Sequence, residues 1–154
     1  MKDRYYVRHY LLALLLDLNE IEQNPVYHPE GDALFHSLQV FQHALKQNAS
    51  PILLAAALFH DVGKSHGSKH HDIVGAEMLD GVLNEKIVWL VEHHLDLLRK
   101  PVSTEKQLKH RQTQLNNLRL LRKWDLAGRD LFADVITPEE AVGIVMSFEQ
   151  NISA

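Results

Sequence analysis

The sequence LFHDVGKSHGSKHHD, from Leu58 to Asp72, holds the densest group of residues that could do chemistry. It contains four histidines and two aspartates, and it follows a run of aliphatic residues. Histidine is the commonest metal ligand and changes its charge near neutral pH. Imidazoles and carboxylates together suit divalent transition metals. The stretch is therefore either a polar loop that happens to be rich in histidine or part of a metal site.

Further candidate ligands lie inside segments that are otherwise apolar. His36 falls on the core-facing side of a helical pattern, His93 and His94 follow the run IVWLV, and Asp125 follows a tryptophan. A buried carboxylate without a partner is costly, so it needs a counter-charge or a metal. Helical folds build metal sites from inward-facing side chains on neighbouring helices. We therefore expect these residues to converge with the His-Asp pair of the first stretch.

Each candidate also has an ordinary explanation. A single histidine such as His36 is more often a hydrogen-bonded core or surface residue than a metal ligand. The pair His60-Asp61 could end a helix, where the dipole favours a histidine cation. Asp125 could form an ion pair with Arg122 or Arg129. Only the joint pattern favours a metal site over these separate roles.

Length and composition limit the class of protein. The chain has 154 residues, the usual size of one domain, and we expect a single domain over 1–154. Its formal charge of −4 offers no large basic surface for duplex nucleic acid. The absence of cysteine excludes disulfides and cysteine-bound zinc, and it fits a reducing compartment.

The apolar run from Tyr10 to Leu18 is the one segment that raises the question of a membrane. It is too short to span a bilayer, which takes roughly 20 apolar residues. It also makes a poor signal peptide, because Asp17 interrupts it and no small-residue cleavage site follows. The prediction is a buried first helix in a cytoplasmic protein with no membrane contact.

Helical periodicity dominates the chain, and no alternating strand pattern of useful length is present. The fold class is predicted to be all-α, a bundle of about six to seven helices. The predicted helices cover about residues 2–22, 32–47, 52–62, 72–83, 85–98, 104–127 and a last segment after Thr137. The predicted boundary residues are Ser50 before Pro51, Thr104 with Gln107, Thr137 with Glu140, and Gly63 as a helix terminator. The helix ILLAAALFHDV is apolar on nearly every side and should be central.

The order His36, His60-Asp61, Asp125 resembles the HD-domain superfamily of metal-dependent phosphohydrolases, over about residues 25–130. The blocks HPEGD, LFHDVGK, HHDIVGAEML, LVEHH and WDLAGRD are similar to the HD domain that follows the catalytic region of bacterial CCA-adding tRNA nucleotidyltransferases. The chain has no room for a nucleotidyltransferase domain, so we expect a free-standing relative.

The resemblance implies a set of metal ligands. One divalent ion would be held by the four motif residues His36, His60, Asp61 and Asp125. A second ion would use histidines between the His-Asp pair and the last aspartate, with Asp61 as the bridge. The candidates for that second ion are His71, His93 and His94. Asp32, one helical turn before His36, would support the site or act as a further ligand.

The resemblance also implies catalytic and substrate-binding roles. Asp61 and Lys64 would be catalytic, and Lys64 would contact a phosphate oxygen. Apart from the resemblance, His70 in the loop near the mouth of the site would touch the substrate, and Arg129 would bind it by neutralising charge that develops on the phosphoryl group. After His94, the chain reads LDLLRKP, where the cyclic-dinucleotide phosphodiesterases of the superfamily carry a Gly-Tyr-Pro signature. This departure disfavours cyclic di-GMP as the substrate and leaves a two-metal core open.

The predicted reaction is hydrolysis of a nucleotide-type phosphomonoester or cyclic phosphodiester, such as a 2′,3′-cyclic phosphate, by a metal-activated water. A bound divalent ion lowers the pKa of its water to near neutrality. The cofactor would be one or two ions of Mn, Ni, Co, Fe, Zn or Mg, with a transition metal favoured by the histidines. The partner would be a small phosphate ester, a nucleotide or an RNA end. Two alternatives stay open: a non-catalytic module that binds a nucleotide or protein, and a structural bundle with incidental histidines.

Overall fold

Helices supply the regular structure of the computed structural model, which describes residues 3–154. Within that range two isolated β-bridges occur and no strand forms, so the all-α prediction is confirmed. The α-helices are α1 (Arg4–Leu16), α2 (Ala33–Lys46), α3 (Pro51–Phe59), α4 (His71–Leu79), α5 (Glu85–His93), α6 (Asp96–Arg99), α7 (Pro101–Gln107), α8 (Gln112–Ala127), α9 (Pro138–Met146) and α10 (Glu149–Ile152). A 3₁₀ helix (Val62–His66) joins α3 to α4. The predicted start of the first helix at Lys2 lies outside the described residues.

Helix α3 is the centre of the bundle. Ser50 caps it by accepting the Leu53 N–H, and Pro51 occupies its first turn. Every residue from Leu53 to Phe59 is buried, and the helix packs against α2, α5, α8, α9 and α10. Burial on all sides explains why its sequence shows no polar face. The chain that leaves α3 therefore starts deep inside the molecule, at His60.

The region after α5 is divided more finely than the sequence predicts. The fifth helix ends at His93 instead of 98, and the predicted sixth helix is two helices, α7 and α8. Thr104 is not the capping residue expected: it lies inside α7, where its hydroxyl donates to the Lys100 carbonyl. Pro101 starts α7 because proline favours the first turn of a helix. The predicted cap at Thr137 is confirmed, since its side chain accepts the Glu140 N–H.

Gly63 has a different role from the predicted helix terminator. Helix α3 already ends at Phe59, and Gly63 is buried in the 3₁₀ helix. A Cβ atom at Gly63 would lie 2.0 Å from the His71 carbonyl oxygen and 2.7 Å from the Gly75 nitrogen. Glycine is needed here because the 3₁₀ helix and α4 approach with their backbones in contact. This close packing brings His71 next to Asp61.

Helix α2 is positioned by Asp32, which is its N-cap. The Asp32 carboxylate accepts the N–H of Phe35 at 2.8 Å and that of Glu20 at 3.1 Å. An aspartate at this position satisfies free N–H groups of the first turn. Helix α1 ends at Leu16, well before the predicted residue 22, and the chain turns towards this cap.

Among the described residues, no helix is long and apolar enough to cross a membrane.

Candidate metal centre

Four predicted ligands, two histidines and two aspartates from three parts of the chain, lie close together. The His36 Nε2 atom lies 2.8 Å from Asp125 Oδ1, and the His60 Nε2 atom lies 3.2 Å from Asp61 Oδ2. The cross distances are 3.5 Å for His60 to Asp125 and 3.7 Å for His36 to Asp61. All four residues are buried. We call this set, His36, His60, Asp61 and Asp125, the four-residue group.

A second set uses the other oxygen of Asp61. The His71 Nε2 atom lies 3.2 Å from Asp61 Oδ1, and the His94 Nε2 atom lies 3.5 Å from the same oxygen. We call Asp61, His71 and His94 the three-residue group. Asp61 therefore presents Oδ2 to one group and Oδ1 to the other. One carboxylate shared in this way is suited to bridge two cations.

The four histidines of these groups are oriented by the same device. In each, the Nδ1 atom contacts a backbone carbonyl, which can only accept a hydrogen bond, so Nδ1 carries the hydrogen. The pairs are His36 with Gly128 at 2.7 Å, His60 with Ala57 at 2.8 Å, His71 with Ser68 at 2.8 Å, and His94 with Val91 at 2.6 Å. This arrangement fixes the ring and directs Nε2 to the carboxylates, as in metal-bound histidines.

Three histidine nitrogen atoms without hydrogen-bond partners indicate whether the site suits a metal. The Nε2 atoms of His60, His71 and His94 are buried and form no hydrogen bond with the described residues. They approach the carboxylates within 3.5 Å without the geometry of a hydrogen bond. Buried polar atoms normally find a partner. Three converging imidazoles whose Nε2 atoms lack a hydrogen-bond partner, next to two carboxylates, are a donor set that fits one or two divalent transition metals.

The charges of the carboxylates and of His60 are strongly coupled. Burial alone would lower the pKa of His60, but Asp61 and Asp125 outweigh it and raise the value to about 10. Burial would likewise raise the pKa of each aspartate, yet His60 with Lys64 holds that of Asp61 well below its usual range. His36 and His60 do the same for Asp125. The opposite charges thus outweigh burial and favour ionised carboxylates beside a protonated His60.

A cavity of about 520 Å³ opens onto both groups. Asp61, His71 and Asp125 form part of its wall, and three cationic side chains lie beside them. Lys64 Nζ is 3.0 Å from Asp61 Oδ2 and donates to Gln23 Oε1 at 2.6 Å. The other two cations of the wall are Arg122 and Arg129. Positive charge at the mouth of a metal-type site suits an anionic ligand.

Some predicted site residues lie apart from these groups. His93 points to Asp96, with Nδ1 2.8 Å from its Oδ2, and belongs to neither group. His70 is exposed in a left-handed backbone conformation just before α4 and is not one of the residues that line the cavity. Asp32 uses both carboxylate oxygens to accept backbone N–H groups, so its observed role is to cap α2.

Sequence reasoning missed two residues on the other side of His36. The His28 Nδ1 atom lies 2.7 Å from Glu30 Oε1, and the His28 ring stands edge-on to that of His36. Burial lowers the pKa of His28, although the Glu30 carboxylate opposes that effect. The two residues sit in a loop without periodicity. The only signal that could have found them is the close spacing of a histidine and a glutamate in HPEGD.

Comparison with known families agrees with this geometry. The family model described as HD domain matches residues 34–127, which include the four-residue group and span more than half of the chain. The chain belongs to the HD domain family. The chain is also similar to a protein named "Multifunctional CCA protein" from Herminiimonas arsenicoxydans, with 38% identity over 72 residues. That match covers 44% of this chain and 17% of the relative.

Proposed function

We propose that the chain is a metal-dependent phosphohydrolase that cleaves a nucleotide-type phosphomonoester or cyclic phosphodiester. The family supports the reaction class, because HD domains belong to a superfamily of metal-dependent phosphohydrolases. The observation that carries the proposal is the division of Asp61 between two sets of imidazoles. A carboxylate with only a structural role would need fewer imidazole partners than surround Asp61.

Some residues of the cavity would bind the metal ions, and others would bind the phosphate. When bound, divalent ions would polarise a phosphate oxygen and supply a water of lowered pKa. The two aspartates and four histidines of the groups would hold these ions through fixed Nε2 and carboxylate oxygen atoms. Lys64, which contacts Asp61 in the structure, would donate to a phosphate oxygen and offset the charge that develops there. Arg129 lines the same cavity, has a buried Nε without a partner among the described residues, and would bind the same anion.

The substrate class is inferred from the sequence relative and from the net charge. The similarity to the multifunctional CCA protein supports a nucleotide or an RNA end. The resemblance of the sequence blocks to the HD domain of CCA-adding enzymes favours 2′,3′-cyclic phosphates and 2′-nucleotides. The formal charge of −4 argues against a site that grips a long nucleic-acid duplex. We therefore propose a small nucleotide or a terminal phosphate of RNA as the substrate.

A substrate panel with metal reconstitution tests the proposal. The protein is stripped with chelator and reloaded separately with Mn, Ni, Co, Fe, Zn or Mg. Each form is assayed with bis-p-nitrophenyl phosphate, 2′,3′-cyclic AMP, 2′-AMP, 5′-mononucleotides and a dNTP. We expect hydrolysis that requires metal and is lost in Asp125→Ala but kept in Asp134→Ala, which changes an exposed aspartate. Inactivity of every metal form on every ester would refute the proposal.

A further inference from the structure

The loop 22–32 is tied at both ends and forms one side of the cavity. Its ends pair through an isolated bridge between Glu22 and Asp32, and the Asp32 cap fixes the second end to α2. Compact loops with closed ends hold their side chains in place and are frequently functional. Tyr27 and His28 of this loop line the cavity, and Gln23 reaches Lys64. The loop therefore borders the same cavity as the metal ligands, and its His28 ring lies next to that of His36.

Glu30 holds His28 in a defined orientation. The Glu30 side chain is fully buried, its Oε1 accepts the His28 Nδ1–H, and its Oε2 has no partner among the described residues. A buried carboxylate that is only half satisfied lowers stability, so its presence points to a role other than packing. The hydrogen bond occupies Nδ1 and leaves Nε2 of His28 as the ring nitrogen that can accept a hydrogen bond from a ligand.

Apolar side chains line the same cavity beside the charged residues. Tyr27, Leu98 and Leu126 line the cavity although they are 62%, 55% and 49% exposed. They come from the loop, from α6 and from α8, so their proximity is created by the fold. Exposed apolar groups beside a few convergent polar ones are typical of a ligand site. A ligand that fits both parts carries a phosphate at one end and a flat apolar ring at the other.

We propose that the loop 22–32 recognises the nucleoside part of the substrate, with Tyr27 against the base, His28 Nε2 accepting from a sugar hydroxyl, and Glu30 as the positioning residue for His28. This inference rests on the proposed function, because the phosphate must lie at the metal ligands for the nucleoside to reach the loop. The metal ligands and the cationic residues of the cavity would then bind the phosphate of any ester. The loop would discriminate among esters by their nucleoside part.

A series of three ligands separates the contributions of phosphate, sugar and base. Inorganic phosphate, ribose 5-phosphate and 5′-AMP are titrated into the manganese-loaded protein by calorimetry at low temperature. Chromatography checks that each ligand stays intact, and a hydrolysed ligand is replaced by its phosphorothioate. The proteins are wild type, Tyr27→Ala, His28→Ala, Glu30→Ala and Glu30→Gln. Tyr5→Ala is the matched control, since Tyr5 is an exposed tyrosine in α1 that does not line the cavity.

Each alanine variant in the loop should reduce one difference in affinity between successive ligands. In wild type, we expect 5′-AMP to bind about tenfold more tightly than ribose 5-phosphate, which is the usual effect of stacking one base. Tyr27→Ala should abolish that difference. His28→Ala and Glu30→Ala should reduce the advantage of ribose 5-phosphate over phosphate by about fivefold, as expected for one hydrogen bond. Glu30→Gln should restore it, because an amide oxygen still accepts from Nδ1. Phosphate affinity should stay unchanged in Tyr27→Ala and in Tyr5→Ala.

The results separate this inference from the proposed function. Equal affinity of wild type for all three ligands would overturn the recognition loop, whether or not phosphate esters are hydrolysed. An unchanged preference for 5′-AMP in Tyr27→Ala would overturn it too. The predicted series in a protein that hydrolyses no ester would support the loop and refute the enzyme. Failure to bind any of the three ligands would overturn the recognition loop, whereas the proposed function is refuted only by inactivity on the ester panel.

Discussion

The four-residue group and the three-residue group use the same kinds of side chain but differ in charge. The first has two carboxylates, and His36 is at hydrogen-bonding distance from Asp125. The second has a single carboxylate oxygen, Asp61 Oδ1, which faces two imidazoles that form no hydrogen bond through Nε2. A divalent cation gains more from two carboxylates than from one that is shared. We therefore expect two sites of unequal affinity, the four-residue group being the tighter.

This difference also concerns what stabilises each group without a metal. In the four-residue group, a proton on His60 offsets the aspartates, and its pKa of about 10 keeps that proton in place at neutral pH. The three-residue group depends on the backbone contact between the 3₁₀ helix and α4, which passes through Gly63. The charge on His60 thus distinguishes the four-residue group, and the close backbone contact at Gly63 distinguishes the three-residue group. The following predictions test that distinction.

Asp61→Ala should have the largest effect, because Asp61 is the only residue common to both groups. We expect metal affinity and hydrolysis of bis-p-nitrophenyl phosphate to fall by more than about 100-fold, the upper range for loss of a group that merely supports a ligand. Metal content after dialysis and steady-state rates measure the two effects. A variant that retained one full equivalent of metal would contradict the bridging role.

His94→Ala and Asp125→Ala should separate the two sites. Titration of manganese into His94→Ala should show one tight site, with affinity within about threefold of wild type, and loss of the weaker site. Asp125→Ala should lose the tight site instead, since a buried carboxylate ligand is removed. Electron paramagnetic resonance counts free manganese in both titrations. If His94→Ala lost the tight site and Asp125→Ala kept it, the order of affinities would be reversed.

Gly63→Ala should destabilise the fold by about 1 to 3 kcal/mol, the usual range for forcing extra atoms into a packed region. Its Cβ would collide with backbone atoms of α4 that cannot move independently. Urea unfolding of the metal-free protein measures the change in free energy. Gly143→Ala in α9 is the control, because its Cβ would meet only the Arg8 side chain at 3.8 Å. The control should be neutral or slightly stabilising.

Gly63→Ala should also affect the two groups unequally. It displaces His71 relative to Asp61, so the weaker metal site should be lost before the tighter one. An equal loss of both sites in folded protein would show that packing at Gly63 does not distinguish the groups.

Metal binding at pH 8 should release about one proton from His60. The pKa of His60 is raised to about 10, so the metal-free protein carries this proton at pH 8, while ligation requires a neutral imidazole. Metal affinity should therefore weaken as the pH falls. Calorimetry in buffers of different ionisation enthalpy measures the released proton. A binding enthalpy independent of the buffer would contradict the prediction.

The regular elements of the fold could be predicted because helical periodicity and caps are local signals. The all-apolar α3 and the caps at Ser50 and Thr137 follow from such signals and agree with the structure. The division between α7 and α8 could not be predicted, because Thr104 has the residue type of a cap but uses its hydroxyl inside a helix. The meaning of Gly63 was missed for a related reason: its contact with His71 joins two elements across a turn.

The candidate ligands were accessible from the sequence, but their orientation was not. Adjacent histidines on a helix differ in direction by about a quarter of a turn, so one of His93 and His94 had to face away from the centre. The structure places His94 at Asp61 and His93 at Asp96. His28 and Glu30 lie in an irregular loop, where no periodicity indicates burial. Their proximity to His36 depends on tertiary folding of that loop.

Anomalous diffraction from crystals grown with manganese would test the central claim most directly. Data collected near the manganese absorption edge locate the ions without reference to activity. We predict a strong peak among His36, His60, Asp61 and Asp125, and a weaker peak beside Asp61, His71 and His94. A map from well-ordered crystals with no peak at Asp61, or with manganese bound only elsewhere, would contradict the claim that these residues form a metal centre.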